Sequence, residues 1–155
     1  RDRSGMYKSQ PDRKAFARAF AGCPFPVCYN GNICNAAQMR ALTQMLPSLQ
    51  RVMLGRGAAA NPALFRVLKG GAPLTRSELR EFHDRLLEDA LSSGLSDHYA
   101  MARMKELWYY MIYMFPHSEK AYKALNKSRS LTDYRFAASS IFASCPFDPD
   151  TGFTG

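Results

Sequence analysis

Two short stretches carry the residues best suited to hold a ligand. Val27-Cys28-Tyr29-Asn30-Gly31-Asn32-Ile33 is an apolar run ending in a turn with two carboxamides. About 25 positions on, Val52-Met53-Leu54-Gly55-Arg56-Gly57 is another, ending in a guanidinium between two glycines. A carboxamide both donates and accepts, so Asn30 and Asn32 suit a sugar-like hydroxyl or a phosphate without any change of charge. Arg56 suits bidentate binding of a phosphate and keeps its charge at every relevant pH. Gly31, Gly55 and Gly57 let the backbone approach a ligand closely. Backbone N–H groups bared at strand-to-helix turns form an anion cradle. Two such cradles suit a phosphorylated cofactor. The plain alternative is two strand–helix turns that need glycine for the bend alone.

To act together, both turns must sit at one end of one sheet, and the surrounding pattern predicts that. Residues 11–20 have Pro11 at a helix-start position and apolar residues at helical spacing. A strand is predicted over 26–29, which would bury Cys28. A helix follows over 35–46, opened by Asn35 and closed before Pro47, then a second strand over 51–54. A second helix over 58–68 is irregular at Asn61-Pro62. The order α-β-α-β-α, with a helix between strands, implies parallel strands. In parallel α/β folds ligands sit at the carboxyl ends of the strands, where both turns lie.

The texture then changes. Residues 1–69 read as an α/β part, 70–74 as a linker, 75–144 as an all-α domain and 145–155 as a loose tail rich in Pro, Gly and Asp. Thr75-Arg76-Ser77-Glu78 is a capping box opening a helix to about Leu91. Ser96 caps the next, which runs to Phe115, and further helices are predicted over 118–127 and 131–144, making a four-helix bundle. On the helix from 97 to 115, Met101, Met104, Trp108, Met111 and Phe115 form a core stripe. Tyr99, Arg103, Glu106, Tyr110 and Tyr113 form the opposite one, open to three readings: wet surface, a packing face against the first part, or an RNA contact.

The 155 residues are 46% hydrophobic and 22% charged, an ordinary globular balance. No run of about 18 apolar residues is present, so no membrane span is predicted. The chain shows no secretory signal pattern and starts Arg1-Asp2-Arg3, which reads as a cut or truncated end. Cys23, Cys28, Cys34 and Cys145 make no C-x-x-C pair and lie at no zinc spacing, so the expectation is free thiols in a reducing cytoplasm and no metal. The net charge of +8 is uneven: residues 1–69 hold 11 Lys/Arg against 2 Asp/Glu, a net +9, and residues 100–135 hold 7 against 3, a net +4. That distribution suits a polyanion such as RNA and equally an incidentally basic protein.

Several ordered segments closely resemble the later part of tRNA-dihydrouridine synthases. They are Arg1-x-Arg3-x-x-x-Tyr7-Lys8, Val27 to Ile33, Val52 to Ala58, Asn61-Pro62, and His98-Tyr99 leading into Ala102-Arg103-Met104-Lys105 and Trp108. The resemblance covers roughly residues 1–144. It implies an FMN-binding (β/α)8 TIM barrel followed by a helical tRNA-binding domain, present here as the C-terminal part of the barrel plus that domain. It further implies that NADPH reduces the flavin, that the flavin gives hydride to a tRNA uridine, and that a cysteine supplies the proton. Carried over by position, the flavin-binding turn falls on Asn30, Gly31 and Asn32, and the phosphate-binding pair on Gly55 and Arg56. The tRNA-contacting basic residues fall on Arg1 and Arg3 and on Arg103 and Lys105. The complete enzyme is expected to be monomeric.

Two departures matter. Asn32 stands where the family usually has an acidic residue. No Asn-x-x-Cys-Pro motif precedes the first turn; Cys23-Pro24 and Cys145-Pro146 stand in the wrong order to serve. No catalytic residue is therefore assigned within the chain, and the acid cysteine is expected upstream of Arg1. A (β/α)8 barrel needs about 250 residues, so the 155-residue chain is expected to be inactive alone. The alternatives are another FMN-dependent TIM-barrel oxidoreductase and a non-enzymatic RNA-binding module.

Overall fold

A computed structural model describes residues 10–94 and 96–154. Among them are eight α-helices and two short strands, in the order α1 (Arg13–Ala21), β1 (Cys28–Tyr29), α2 (Ala36–Met45), β2 (Arg51–Val52), α3 (Arg56–Ala60), α4 (Leu64–Leu68), α5 (Arg76–Ser92), α6 (Asp97–Met111), α7 (Glu119–Lys127) and α8 (Leu131–Ser144). A 3-10 turn, Ile112–Met114, extends α6 toward Pro116.

The strands pair in parallel, Cys28 opposite Arg51 and Tyr29 opposite Val52. Each is shorter than the sequence pattern predicts. Pro24 and Pro26 offer no N–H to a ladder, and the glycine turns end the pairing on the other side. One bond beyond the ladder, Met53 N–H to the Tyr29 carbonyl at 2.8 Å, carries β2 toward its turn. Strand alternation turns Tyr29 inward and leaves Cys28 exposed. The expectation of a buried Cys28 is thus corrected: the inward position belongs to its neighbour.

Local signals explain the helices. Asp12, Asn35, Ser96 and Ser130 each accept an N–H of the first turn they precede. Thr75 and Glu78 close a complete capping box. The helix predicted over 58–68 begins earlier and divides into α3 and α4. The buried Asn61 amide makes the break, its Oδ1 accepting the Ala63 N–H at 2.9 Å, while Pro62 has no N–H to continue the spiral. At the end of α4, Gly70 takes a positive φ of 85°, and its N–H and that of Gly71 return to Val67 and Arg66. This is a Schellman end, in which a left-handed residue satisfies the last carbonyls. Arg66 then spans the linker, donating to the Ala72 and Pro73 carbonyls and pairing with both Glu78 oxygens at 2.9 and 3.1 Å. That pair, with the Thr75 bonds, holds the Glu78 carboxyl down to about 2.

Two main apolar cores result, beside a small third cluster of Cys34, Ala60 and Phe153. In the smaller, Tyr29, Ile33, Leu42, Leu46 and Leu49 pack with Phe16 and Phe20 of α1. In the larger, between α5, α6, α7 and α8, all five residues of the stripe Met101, Met104, Trp108, Met111 and Phe115 are buried. A polar chain crosses this core. Trp108 Nε1 donates to the Tyr134 hydroxyl at 3.0 Å, Tyr134 meets His83 Nε2 at 2.7 Å, and His83 Nδ1 meets an Asp84 oxygen at 2.8 Å. A carboxylate only accepts, so Nδ1 carries the His83 proton and Nε2 accepts from Tyr134. Burial holds the His83 pKa below 6.5 and pushes that of Tyr134 up.

The tail is not loose. Asp148 N–H donates to the Met114 carbonyl at 2.9 Å, and its carboxylate accepts from Asp150 N–H at 3.0 Å and the Thr151 hydroxyl at 2.8 Å. Asn61 Nδ2 donates to the Pro149 carbonyl at 3.1 Å. Phe153 is buried with Cys34 and Ala60, against Tyr110 and Tyr113. The turn-forming composition that reads as disorder instead builds an Asx turn, and buried Phe153 anchors the far end.

Candidate functional site

The two glycine turns meet in one open cleft of about 420 Å³. Its wall includes Asn30, Gly31, Asn32, Gly55, Arg56 and Gly57. This volume lies within the range of about 300–1,000 Å³ usual for small-molecule and cofactor sites. Parallel pairing of β1 and β2 brings the turns together, because both strands then end on the same edge. Across the cleft Arg56 Nη2 donates to Asn32 Oδ1, joining one turn to the other. The side chain at 32 thus orients the guanidinium as a neutral acceptor.

Close approach explains the glycines. A Cβ on Gly31 would lie 2.5 Å from the Tyr29 hydroxyl, and one on Gly57 would collide with the Ile33 carbonyl. Gly55 has open space where its Cβ would be, and no side chain caps the first turn of α3.

Sequence reasoning missed several wall residues. Tyr29 is 2% exposed, its ring edge-on to Phe16, and its hydroxyl has no hydrogen-bond partner among the described residues. A buried hydroxyl without a partner is costly, so this oxygen is an available donor and acceptor at the wall. Strand alternation was the signal that would have found it. Phe16, Ile33 and Met53 add apolar wall, and Asp12 contributes a carboxylate that also caps α1. The Ala15 N–H bond holds Asp12 below the ordinary carboxylate value. Cys34 lines the cleft as a buried thiol. Burial pushes its pKa up, with the Arg56 charge pulling the other way. Among the described residues no group of three or more His, Cys, Asp or Glu is placed to hold a metal ion, and no helix is long and apolar enough to cross a membrane.

The basic residues predicted to meet a polyanion fall in separate places. Arg1 and Arg3 lie outside the described residues. Arg103 and Lys105 point apart on α6. Arg103 is 72% exposed, with Glu106 at 4.0 Å, and borders a groove with Ala59, Leu86 and Tyr110. Lys105 Nζ donates to the Asn126 and Ser128 carbonyls at 3.2 and 2.8 Å, tying down the end of α7, and burial lowers its pKa. The excess charge of this region sits on α7, where Lys120, Lys123 and Lys127 are exposed at helical spacing, followed by exposed Arg129. On the second stripe of α6, Tyr99 stays in solvent, while Tyr110 and Tyr113 pack against Phe153.

Compared with known families, residues 12–142 match the family model described as dihydrouridine synthase. No curated protein matches the chain.

Proposed function

The chain belongs to the dihydrouridine synthase family, whose members are oxidoreductases acting on tRNA, and from that premise we propose that its cleft is the phosphate end of an FMN site. In this reading residues 1–69 are the closing part of a (β/α)8 barrel and residues 75–144 the helical tRNA-binding domain. The observation that carries it is the convergence of both glycine turns, with Arg56 and Asn32 hydrogen-bonded across one cleft.

The residues present fit the group. Arg56 offers paired N–H donors to a phosphate dianion. Asn30 and Asn32 offer neutral amides, and Gly55 leaves room for a ligand against the backbone. Tyr29 supplies a buried hydroxyl in need of a partner. Phe16, Ile33 and Met53 supply apolar wall. When bound, FMN would pass hydride from NADPH to the C5–C6 double bond of a uridine. This chain's own work is to grip and orient. Arg103 and the α7 lysines give the tRNA backbone an exposed cationic surface outside the cleft, and such contacts make affinity salt-dependent.

Activity of the complete enzyme tests the reading. With NADPH and tRNA it should form dihydrouridine. The 155-residue chain alone should form none, because its described residues hold two strands and its sequence has no Asn-x-x-Cys-Pro motif. A complete enzyme that reduces free small substrates with no tRNA dependence, or robust turnover by this chain alone, contradicts it.

A further inference from the structure

We propose that the C-terminal strap is part of the cofactor site: Phe153, clamped between α6 and the first turn of α3, holds the Arg56 guanidinium in the pose that grips the cofactor's phosphate. This rests on the flavin reading above and extends it to a segment that no motif marks.

Three observations converge on Phe153. Its ring is 4% exposed. It lies against three tyrosines of α6 and the turn after it, with centroids at 4.9 Å for Tyr113, 5.1 Å for Tyr110 and 5.6 Å for Tyr109. Its π face stands 5.3 Å from the Arg56 Cζ, within cation–π range. The ring is itself held. The Asp148 N–H is bonded to Met114 after α6, and the Pro149 carbonyl to Asn61 after α3. Gly152 passes so close to Cys34 that a Cβ there would lie 3.1 Å from the Cys34 Cβ.

Arg56 therefore has a stacking partner on one side and the Asn32 amide as a hydrogen-bond acceptor on another. A long side chain restrained in its binding pose has less freedom to lose on gripping an anion, which raises affinity without adding a contact to the ligand. Phe153 is thus a positioning residue. Through the tyrosines it also makes the phosphate grip depend on how the helical part is seated.

The test uses the complete enzyme stripped of flavin and titrated with FMN and with riboflavin, which lacks the phosphate, following flavin fluorescence. Phe153→Leu keeps the apolar plug and removes the π face. It should weaken FMN binding about three- to thirtyfold, the range that cation–π energies give, and leave riboflavin affinity unchanged. Phe153→Tyr should restore FMN binding. Adding Phe153→Leu to Arg56→Ala should cost nothing further, since both act through one side chain. Unchanged FMN affinity in Phe153→Leu, or equal losses for FMN and riboflavin, overturns the proposal. If Arg56→Ala leaves FMN affinity unchanged, the flavin reading fails as well; if Arg56→Ala weakens FMN and Phe153→Leu does not, the strap alone fails.

Discussion

Arg103 and Lys105 stand two residues apart, which on an α-helix turns them about 200° from each other. Close in sequence, they work on opposite sides of α6. Lys105 spends two donors on the carbonyls of Asn126 and Ser128, whereas Arg103 reaches solvent beside a long contact to Glu106 that is worth little. Their substitutions should separate. In the complete enzyme Arg103→Ala should raise the apparent KM for tRNA and flatten its salt dependence, with the melting temperature unchanged. Lys105→Ala should lower the melting temperature by a few degrees, about what 1–2 kcal/mol from lost charge-assisted bonds gives. Identical effects of the two variants on both measurements would contradict the division. A motif supplied the residue types here, and only the helix geometry supplied their directions. The turn residues were more legible. Asn30, Gly31, Asn32, Gly55 and Arg56 line the cleft because their chemistry and their place after a strand are both written locally. Tyr29 and Phe153 escaped notice because an aromatic residue in sequence does not show which face it will bury, or against what.

At the level of elements, legibility tracked the range of the forces. Helices begin where Asn35, Thr75 and Ser96 predict, because a cap bond spans three residues. The strands came out shorter than their apolar runs, since a ladder needs a partner from elsewhere and prolines that do not interfere. The tail was misread for the same reason: Asp148 to Thr151 form a local turn, but the docking of Phe153 depends on surfaces of α3 and α6 that no neighbouring residue announces. The polar chain from Trp108 through Tyr134 and His83 to Asp84 has a consequence that is measurable on the helical part. Burial holds His83 neutral, so the unfolded chain takes up a proton first as pH falls below about 6.5. Stability should therefore be fully present above that pH and decline toward about pH 5, where the unfolded imidazole is charged. Of the groups facing His83, the Asp84 carboxylate favours its protonation and Arg80 and Arg135 oppose it, with burial outweighing the carboxylate. Thermal melts between about pH 7.5 and pH 5 should fall for the native chain and fall less for His83→Gln. Equal slopes would remove His83 from the account.

Across the whole molecule, two cores of different texture share a seam. One side is the glycine-rich end of a parallel strand pair; the other is an aromatic face of α6; the strap is laid over both. Glu78 and Arg66 pin the linker between them. The charge distribution was readable from composition, and the structure concentrates part of it on α7. The seam was not readable, because it is made by residues far apart in the chain. The central claim is that the two strand-end turns grip a flavin's phosphate through Arg56. Its most direct test is the flavin content and FMN dissociation constant of Arg56→Ala in the complete enzyme, with riboflavin as the phosphate-free control. Loss of a charge-assisted pair worth about 1.5–3 kcal/mol should weaken FMN about ten- to a hundredfold and leave riboflavin unchanged. An Arg56→Ala enzyme that purifies with its full complement of FMN and binds it as tightly as the native protein would contradict the claim.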